Sequence, residues 1–335
     1  MGAVFGVVFL LGFLFWARKQ KLEEVPYSSR QLFAMDTVMS FTAFGERSQE
    51  AIDAAVEEVN RLDALLSTEQ TSSEIFKLNE KGKGSVSEDT LKILRKAGEL
   101  YKETEGLFDC TIYPLMKLWG FAGKEYQVPD ALQLKQTVRL VDASQIQFDG
   151  NEVILGEGQM LDLGGIAKGY ASARVMEIYR QYGIVSGMVS LGGNVETLGC
   201  KPDGSSWKIG IRNPQGQEEE ILGVIPVENK AVVTSGGYER YFEENGKTYI
   251  HILNPHTGYP VEGDLLSVTI VSEDGMLADA LSTSLYLMGK EKAADYWRAH
   301  KNEFEVILVT EKMEVYVSEG IFETYTMSGK FQMIQ

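Results

Sequence analysis

Apolar residues recur at helical spacing in four parts of the chain. Between Ser48 and Leu66, Ile52, Val56, Val59, Leu62 and Leu66 form one stripe, which predicts an amphipathic helix. Ser73-Glu74-Ile75 opens a short helix ending near Asn79. From Asp89 to Thr104, Leu94, Ala97 and Tyr101 repeat, and Gly106 ends the run. Ala171, Val175, Ile178 and Tyr182 mark a third long helix. In a fourth, Leu277, Leu281, Leu285 and Met288 share one side. Strand-like runs lie between these. Phe33–Phe44 reads as one strand turned at Gly45, and Val153–Leu155 is short. Gly187–Leu191 runs into a glycine turn. Trp207–Ile211, Leu222–Val227, Ala231–Thr234, Thr248–Leu253 and Leu266–Val271 follow, with a hairpin of Val306–Thr310 and Val315–Val317. Helices come early and in the middle while strands crowd the second half. That order predicts an α+β fold with mainly antiparallel sheet flanked by helices.

Composition narrows the function. The 335 residues carry a net charge of −16, which argues against nucleic-acid binding, since no excess of basic residues exists to neutralise phosphates. An anionic substrate then needs local help from a helix end, a lysine or a metal. Two isolated cysteines and three histidines leave little room for a zinc site. Gly2–Trp16 is apolar without a break and is followed by Arg18, Lys19 and Lys21, the reverse of a signal peptide's order. Residues 1–25 are expected to be a membrane anchor or signal-like segment with its linker, and 26–335 the folded domain. We expect the domain on the extracytoplasmic face, although the positive-inside rule would place the basic flank in the cytoplasm; the side stays open.

Chemistry concentrates around Leu161-Asp-Leu-Gly-Gly-Ile-Ala-Lys-Gly-Tyr-Ala171. Gly164 and Gly165 let the backbone approach a ligand closely. The helix start that follows offers N–H groups to an anion, Lys168 a mobile positive charge, and Asp162 an acceptor. A plain strand–turn–helix joint with a solvated lysine fits the same residues. Asp279 and Thr283 are four apart and share a helical face, a hard-oxygen pair suited to Mg²⁺; otherwise Asp279 simply complements the helix dipole. His251 closes a strand beside the turn Asn254-Pro-His-Thr-Gly258 and could be a base near neutral pH, or a half-exposed histidine bonded to backbone. Trp119–Phe121 is either an exposed stacking edge or a buried aromatic corner, the latter favoured. Ser235, in Thr234-Ser-Gly-Gly237, is a possible ligand contact. No GxSxG, Walker-type loop or GxGxxG is present.

Seven blocks in order resemble the ApbE family, the FAD:protein FMN transferases. They are Ala34-Met-Asp-Thr37, Pro114-Leu-Met-Lys-Leu-Trp-Gly-Phe121, Asp162-Leu-Gly-Gly-Ile-Ala-Lys-Gly169, Ser190-Leu-Gly-Gly-Asn194, Thr234-Ser-Gly-Gly237, His251-Ile-Leu-Asn-Pro-His-Thr-Gly-Tyr-Pro260 and Ala278-Asp-Ala-Leu-Ser-Thr283. The resemblance implies a T-fold-like architecture. It implies Mg²⁺-dependent transfer of FMN from FAD to a Thr or Ser hydroxyl of an acceptor flavoprotein, such as an FMN-carrying redox-pump subunit, with release of AMP. It also implies residue roles. Asp279, Thr283 and the carbonyl of Gly165 (Ala167 as second choice) would hold the metal. Met35, Trp119, Gly120, Phe121, Asp162, Lys168 and Leu253 would contact FAD, and His251 would be the base. Two positions depart from the family pattern: Glu69 stands where an aromatic is common, and His256 where a basic residue is usual. Two other functions share the site: an FAD pyrophosphatase using water as acceptor, and a membrane-anchored FAD-binding protein without turnover.

Overall fold

The computed structural model describes residues 25–123, 125–217 and 220–334. The expected anchor therefore lies outside the described residues, apart from its last position, Val25. Helices α1 (Ser48–Leu66), α2 (Glu74–Lys81), α3 (Glu88–Glu103), α4 (Tyr113–Leu118), α5 (Ala131–Val138), α6 (Ala167–Gln181), α7 (Gly275–Met288), α8 (Lys290–Ala299) and α9 (Glu319–Phe322) surround one large sheet. Its strands are β1 (Tyr27–Ala34), β2 (Thr37–Phe44), β3 (Ser186–Leu191), β4 (Asn194–Leu198), β5 (Ala231–Gly236), β6 (Leu265–Ser272), β7 (Phe304–Thr310), β8 (Val315–Ser318) and β9 (Gln332–Ile334). They lie side by side in chain order. Every neighbouring pair is antiparallel except the last, β8 with β9. The α+β reading holds.

Alternation along the strands separates two cores. One face of the sheet packs Met39, Phe41, Val189, Leu191, Val268 and Ile270 under the helices. On that side the α1 stripe of Ile52, Val56, Val59, Leu62 and Leu66 is wholly buried, as the spacing predicts. The opposite face meets a small sheet of Trp207–Arg212, Ile221–Val227 and Thr326–Met327. There Trp207, Ile209, Ile211 and Ile225 pack against Val232, Val271, Ile307 and Val309. A third, aromatic cluster gathers Tyr113, Trp119, Phe121 and Leu253 with half-buried Phe242 and Tyr249.

Three expectations change. Phe33–Phe44 is not one strand but the end of β1, a two-residue turn and β2, paired Ala34 to Thr37. Met35 and Asp36 both take positive φ, 47° and 60°, as this tight turn requires. Met-Asp lacks the Asn-Gly signature of such turns, so the pattern concealed it. Likewise Thr248–Leu253 ends early: Lys247–Ile250 pairs with Tyr241–Glu244, and His251 begins the loop beyond. Trp119 and Phe121 are both 0% exposed, so the stacking edge gives way to the buried corner. The Trp119 indole donates to the Gly258 carbonyl at 2.8 Å, and Phe242, Tyr249 and Tyr259 surround its ring.

Helices α6 and α7 cross on the helical side of the sheet with two glycines in contact. A Cβ on Gly169 would sit 2.2 Å from the Gly275 carbonyl oxygen, and one on Gly275 would sit 2.7 Å from the Gly169 oxygen. Both obstacles are backbone, so neither can rotate away. Alanine is favoured over glycine within a helix by about 1 kcal/mol, but overpacking typically costs about 1–3 kcal/mol. Gly169→Ala should therefore lower the melting temperature despite its better helix propensity. Thermal denaturation followed by circular dichroism checks this, and an unchanged or higher midpoint would refute the tight crossing.

Candidate functional site

The glycine crossing delivers Asp279 to the first turn of α6. Asp274 caps α7, accepting from the amides of Met276 and Leu277, so the dipole explanation offered for Asp279 is filled by another residue. Asp279 is 4% exposed. One carboxylate oxygen accepts from the Gly169 amide and the other from the Asn194 side chain, each at 2.8 Å. The α6 amide that was expected to await a substrate anion is thus taken by a carboxylate of the protein itself. Asn194 opens β4 after the Gly192–Gly193 turn, whose φ values of 62° and 92° only glycine adopts freely. Its role was hidden because Gly-Gly-Asn also reads as an ordinary turn. One helical turn beyond Asp279, the half-buried Thr283 hydroxyl lies 3.2 Å from Ser235, which is 2.7 Å from Ser282. The oxygen-bearing face foreseen from the spacing therefore includes Ser235 of β5.

The stretch before α6 is tightly pinned. Asn79 bonds both backbone groups of Leu161, donating to its carbonyl at 2.9 Å and accepting from its amide at 2.6 Å. Half-buried Asp162 accepts from the Gly164 amide at 2.7 Å. Burial raises its pKa, opposed by that hydrogen bond and by the positive charges of Arg240 and Lys168. Lys168 donates to the Gly164 carbonyl at 3.2 Å, and its charge also acts on Glu239 and His251. Asp162, Lys168, Glu239, Arg240 and His251 thus occupy one electrostatic neighbourhood, and Glu239 in turn feels Asp279.

His251 is half-buried. Its Nδ1 lies 3.1 Å from the Arg240 carbonyl, which can only accept. That contact assigns the hydrogen to Nδ1 and leaves Nε2 a free lone pair. Desolvation, with the nearby charges of Arg240 and Lys168, lowers the imidazole pKa to about 4. Arg240 is itself tied to the Phe121 carbonyl at 2.5 Å, so the aromatic cluster contributes backbone to the site's edge. Gly120, with φ of 79°, allows the close approach of the Glu125 carbonyl. Leu253 is buried and Met35 half-buried, with the Met35 amide donating to Asp63 at 3.2 Å. Of the two departures from the family pattern, Glu69 is exposed, and exposed His256 lies over Gly106.

The family model that matches, the ApbE family, spans residues 35–308. The chain belongs to the ApbE family. It is 33% identical over 266 residues to an FAD:protein FMN transferase of Klebsiella pneumoniae, covering 78% of this chain and 82% of that one. It is 34% identical over 282 residues to the enzyme of that name from Haemophilus influenzae, covering 81% and 80%. Among solved structures, the ApbE protein of Thermotoga maritima superposes with a TM-score of 0.84 at 31% identity, covering 89% of this chain and 99% of that one. The flavin transferase ApbE of Vibrio cholerae gives 0.79 at 26% identity, covering 89% and 100%. The α+β architecture with mainly antiparallel sheet, expected from the order of elements, matches the structures of these relatives.

The His251 environment makes a titration test. Its folded pKa of about 4 lies below the ordinary value of 6.5. Between those values the folded state binds fewer protons than the unfolded chain, so His251 makes stability fall as the solution is acidified through that window. NMR titration should find its ring neutral down to near pH 5, with a midpoint of about 4, well below that of an exposed histidine. A midpoint near 6.5 would contradict the desolvated placement.

Proposed function

We propose that this chain transfers FMN from FAD to a Ser or Thr hydroxyl of a target flavoprotein, releasing AMP, with Mg²⁺ bound at Asp279. One observation carries the reading: a nearly fully buried carboxylate is held by two neutral donors and has no cationic side chain in contact among the described residues. Burying an ionised group without countercharge costs several kcal/mol on the order-of-magnitude scale, so the site favours a cation. The donor set fits Mg²⁺, with the Asp279 carboxylate, the Thr283 hydroxyl and a carbonyl of the glycine stretch at Gly165 (or Ala167) as hard oxygens. When bound there, the ion would offset negative charge on the pyrophosphate of FAD.

The chain's own groups supply the rest. Lys168, beside the glycine stretch, adds positive charge for the phosphates. Asp162 offers an acceptor to the flavin or ribose. Neutral His251 accepts the hydroxyl proton of the incoming Ser or Thr on Nε2. That oxygen bonds to the FMN phosphorus as the bond to the bridging oxygen breaks, and the electron pair leaves with AMP. The names of the relatives support FAD as donor and a protein as acceptor. With Trp119 and Phe121 enclosed, that segment meets FAD through backbone near Gly120 rather than by ring stacking.

Residues 26–335 incubated with FAD, Mg²⁺ and a candidate acceptor domain should give in-gel flavin fluorescence that survives denaturation. Asp279→Ala should abolish labelling, and so should EDTA, with restoration by Mg²⁺. Undiminished labelling in either case would refute the metal assignment. His251→Ala should slow transfer by about 10²–10⁴-fold, the range for a general base, while FAD still binds. A large loss of FAD affinity would refute the base role.

A further inference from the structure

The reaction as described makes no use of Glu196, a carboxyl only 7% exposed in the middle of the molecule. It lies two residues after Asn194 on β4, so both side chains leave the same face of the strand. That face points into the crossing of α6 and α7. Asn194 holds Asp279 there. Glu196 accepts from the Ser172 hydroxyl at 2.5 Å, and the same hydroxyl lies 3.1 Å from the Gly169 carbonyl. A Cβ on Gly275 would come within 2.8 Å of a Glu196 oxygen, so the carboxyl abuts the crossing directly. One short chain of contacts therefore runs from Glu196 through Ser172 to Gly169, whose amide grips Asp279.

Ser172 has one hydroxyl hydrogen and two acceptors competing for it. Ionised Glu196 takes that hydrogen, and the Gly169 carbonyl is left to the helix ladder. Protonated Glu196 donates its own hydrogen to the Ser172 oxygen, and Ser172 then donates to the Gly169 carbonyl. A Ser hydroxyl bonded to a carbonyl of the preceding turn slightly destabilises and bends a helix. Because the glycines touch, a bend in the first turn of α6 has no slack to absorb it and reaches Asp279.

We infer that Glu196 is a positioning residue for the transfer reaction, setting through Ser172 the attitude of the α6 first turn and hence of Asp279. The inference rests on the flavin-transfer reading of the site. The charged groups facing Glu196 are Arg180, which favours its ionised form, and Asp274 and Glu177, which oppose it; desolvation is the largest influence and raises its pKa to about 7. Its change of charge thus falls within the working range of most enzymes, well away from that of His251.

The test compares wild type with Glu196→Gln, and with Ser172→Ala as a second variant that removes the same link without altering the carboxyl. The wild-type kcat for acceptor labelling should rise between pH 6 and 8. In both variants the rise should vanish. In Glu196→Gln, which like the protonated acid leaves the Ser172 hydroxyl to the Gly169 carbonyl, kcat at pH 8 should fall about tenfold, the lower end for groups that orient a site ligand. In Ser172→Ala, which has no hydroxyl to bend the turn, it should stay near the wild-type pH 8 value. KM for FAD should be unchanged within about twofold in both. Hydrogen–deuterium exchange at pH 8 of the peptide spanning Gly164–Tyr170 should quicken in Glu196→Gln and not in Ser172→Ala, and this needs no turnover. The folded carboxyl binds a proton more tightly than the unfolded one, whose ordinary value is 4.5, so ionising it costs stability as pH rises from there towards 7. Glu196→Gln should accordingly melt higher than wild type at pH 8. Either variant keeping the wild-type pH profile, or Glu196→Gln leaving the exchange of that peptide unchanged, overturns the inference. Absence of labelling by wild type itself would overturn the transfer reading, while the exchange measurement would still report on the link to Gly169.

Discussion

The hydrogen bond from the Gly169 amide to the Asp279 carboxylate joins two helices that are remote in sequence but touch through bare backbone. Everything chemical in the protein is arranged about it. A carboxylate at the N-terminal turn of a helix sits in the favourable end of the dipole, which lowers the cost of burying its charge. Two neutral donors hold that carboxylate, and no cationic side chain touches it among the described residues. The glycines at 169 and 275 therefore place that carboxylate by close backbone approach alone. A side chain at either would push the carboxylate off the turn.

Around that anchor the electrostatics are divided rather than uniform. The molecule as a whole is strongly acidic, yet Lys168 and Arg240 both act on Asp162 and His251. Their two effects have opposite chemical uses. For Asp162 they offset desolvation and favour the acceptor form. For His251 they add to desolvation and favour the neutral ring. A single pair of cations thus works against protonation of both groups, while desolvation still leaves the Asp162 carboxyl raised and the His251 ring lowered.

Much of this was legible in the sequence where periodicity is strong. The stripes of α1 and α6 and the strands predicted in the second half, apart from Thr248–Leu253, appear as predicted, because burial on one face imposes the period. Asp279 and Thr283 both lie on α7, where Asp279 meets Gly169 and Asn194 and Thr283 meets Ser235. Local signals failed where tertiary contacts decide. Nothing in Met35-Asp36 announces a tight turn, and nothing in Tyr241–Glu244 distinguishes a hairpin arm from polar loop. Asn194 and Glu196 reveal their parts only when β4 is laid beneath two helices about a hundred residues apart in the chain. Trp119 illustrates the reverse error, in which an aromatic-rich segment suggests ligand stacking although the rings are needed to enclose one another.

The polar interior beneath α6 and α7 is hard to explain by stability. Asp279, Asn194, Glu196 and Ser172 occupy positions where apolar residues of similar size would avoid desolvation and still fill the space. Asn194 satisfies Asp279, Ser172 satisfies Glu196, and the Gly169 backbone joins the two pairs, a network that fixes one arrangement more sharply than apolar packing can. The crossing has two backbones in contact and no adjustable side chain between them, so its angle must be specified by directional bonds. A molecule that must hold one carboxylate oxygen at a set orientation gains from that specification what it gives up in stability. The same reasoning explains why the network lies on the strand face under the crossing, and not at the solvent-facing rim where water would substitute for every bond.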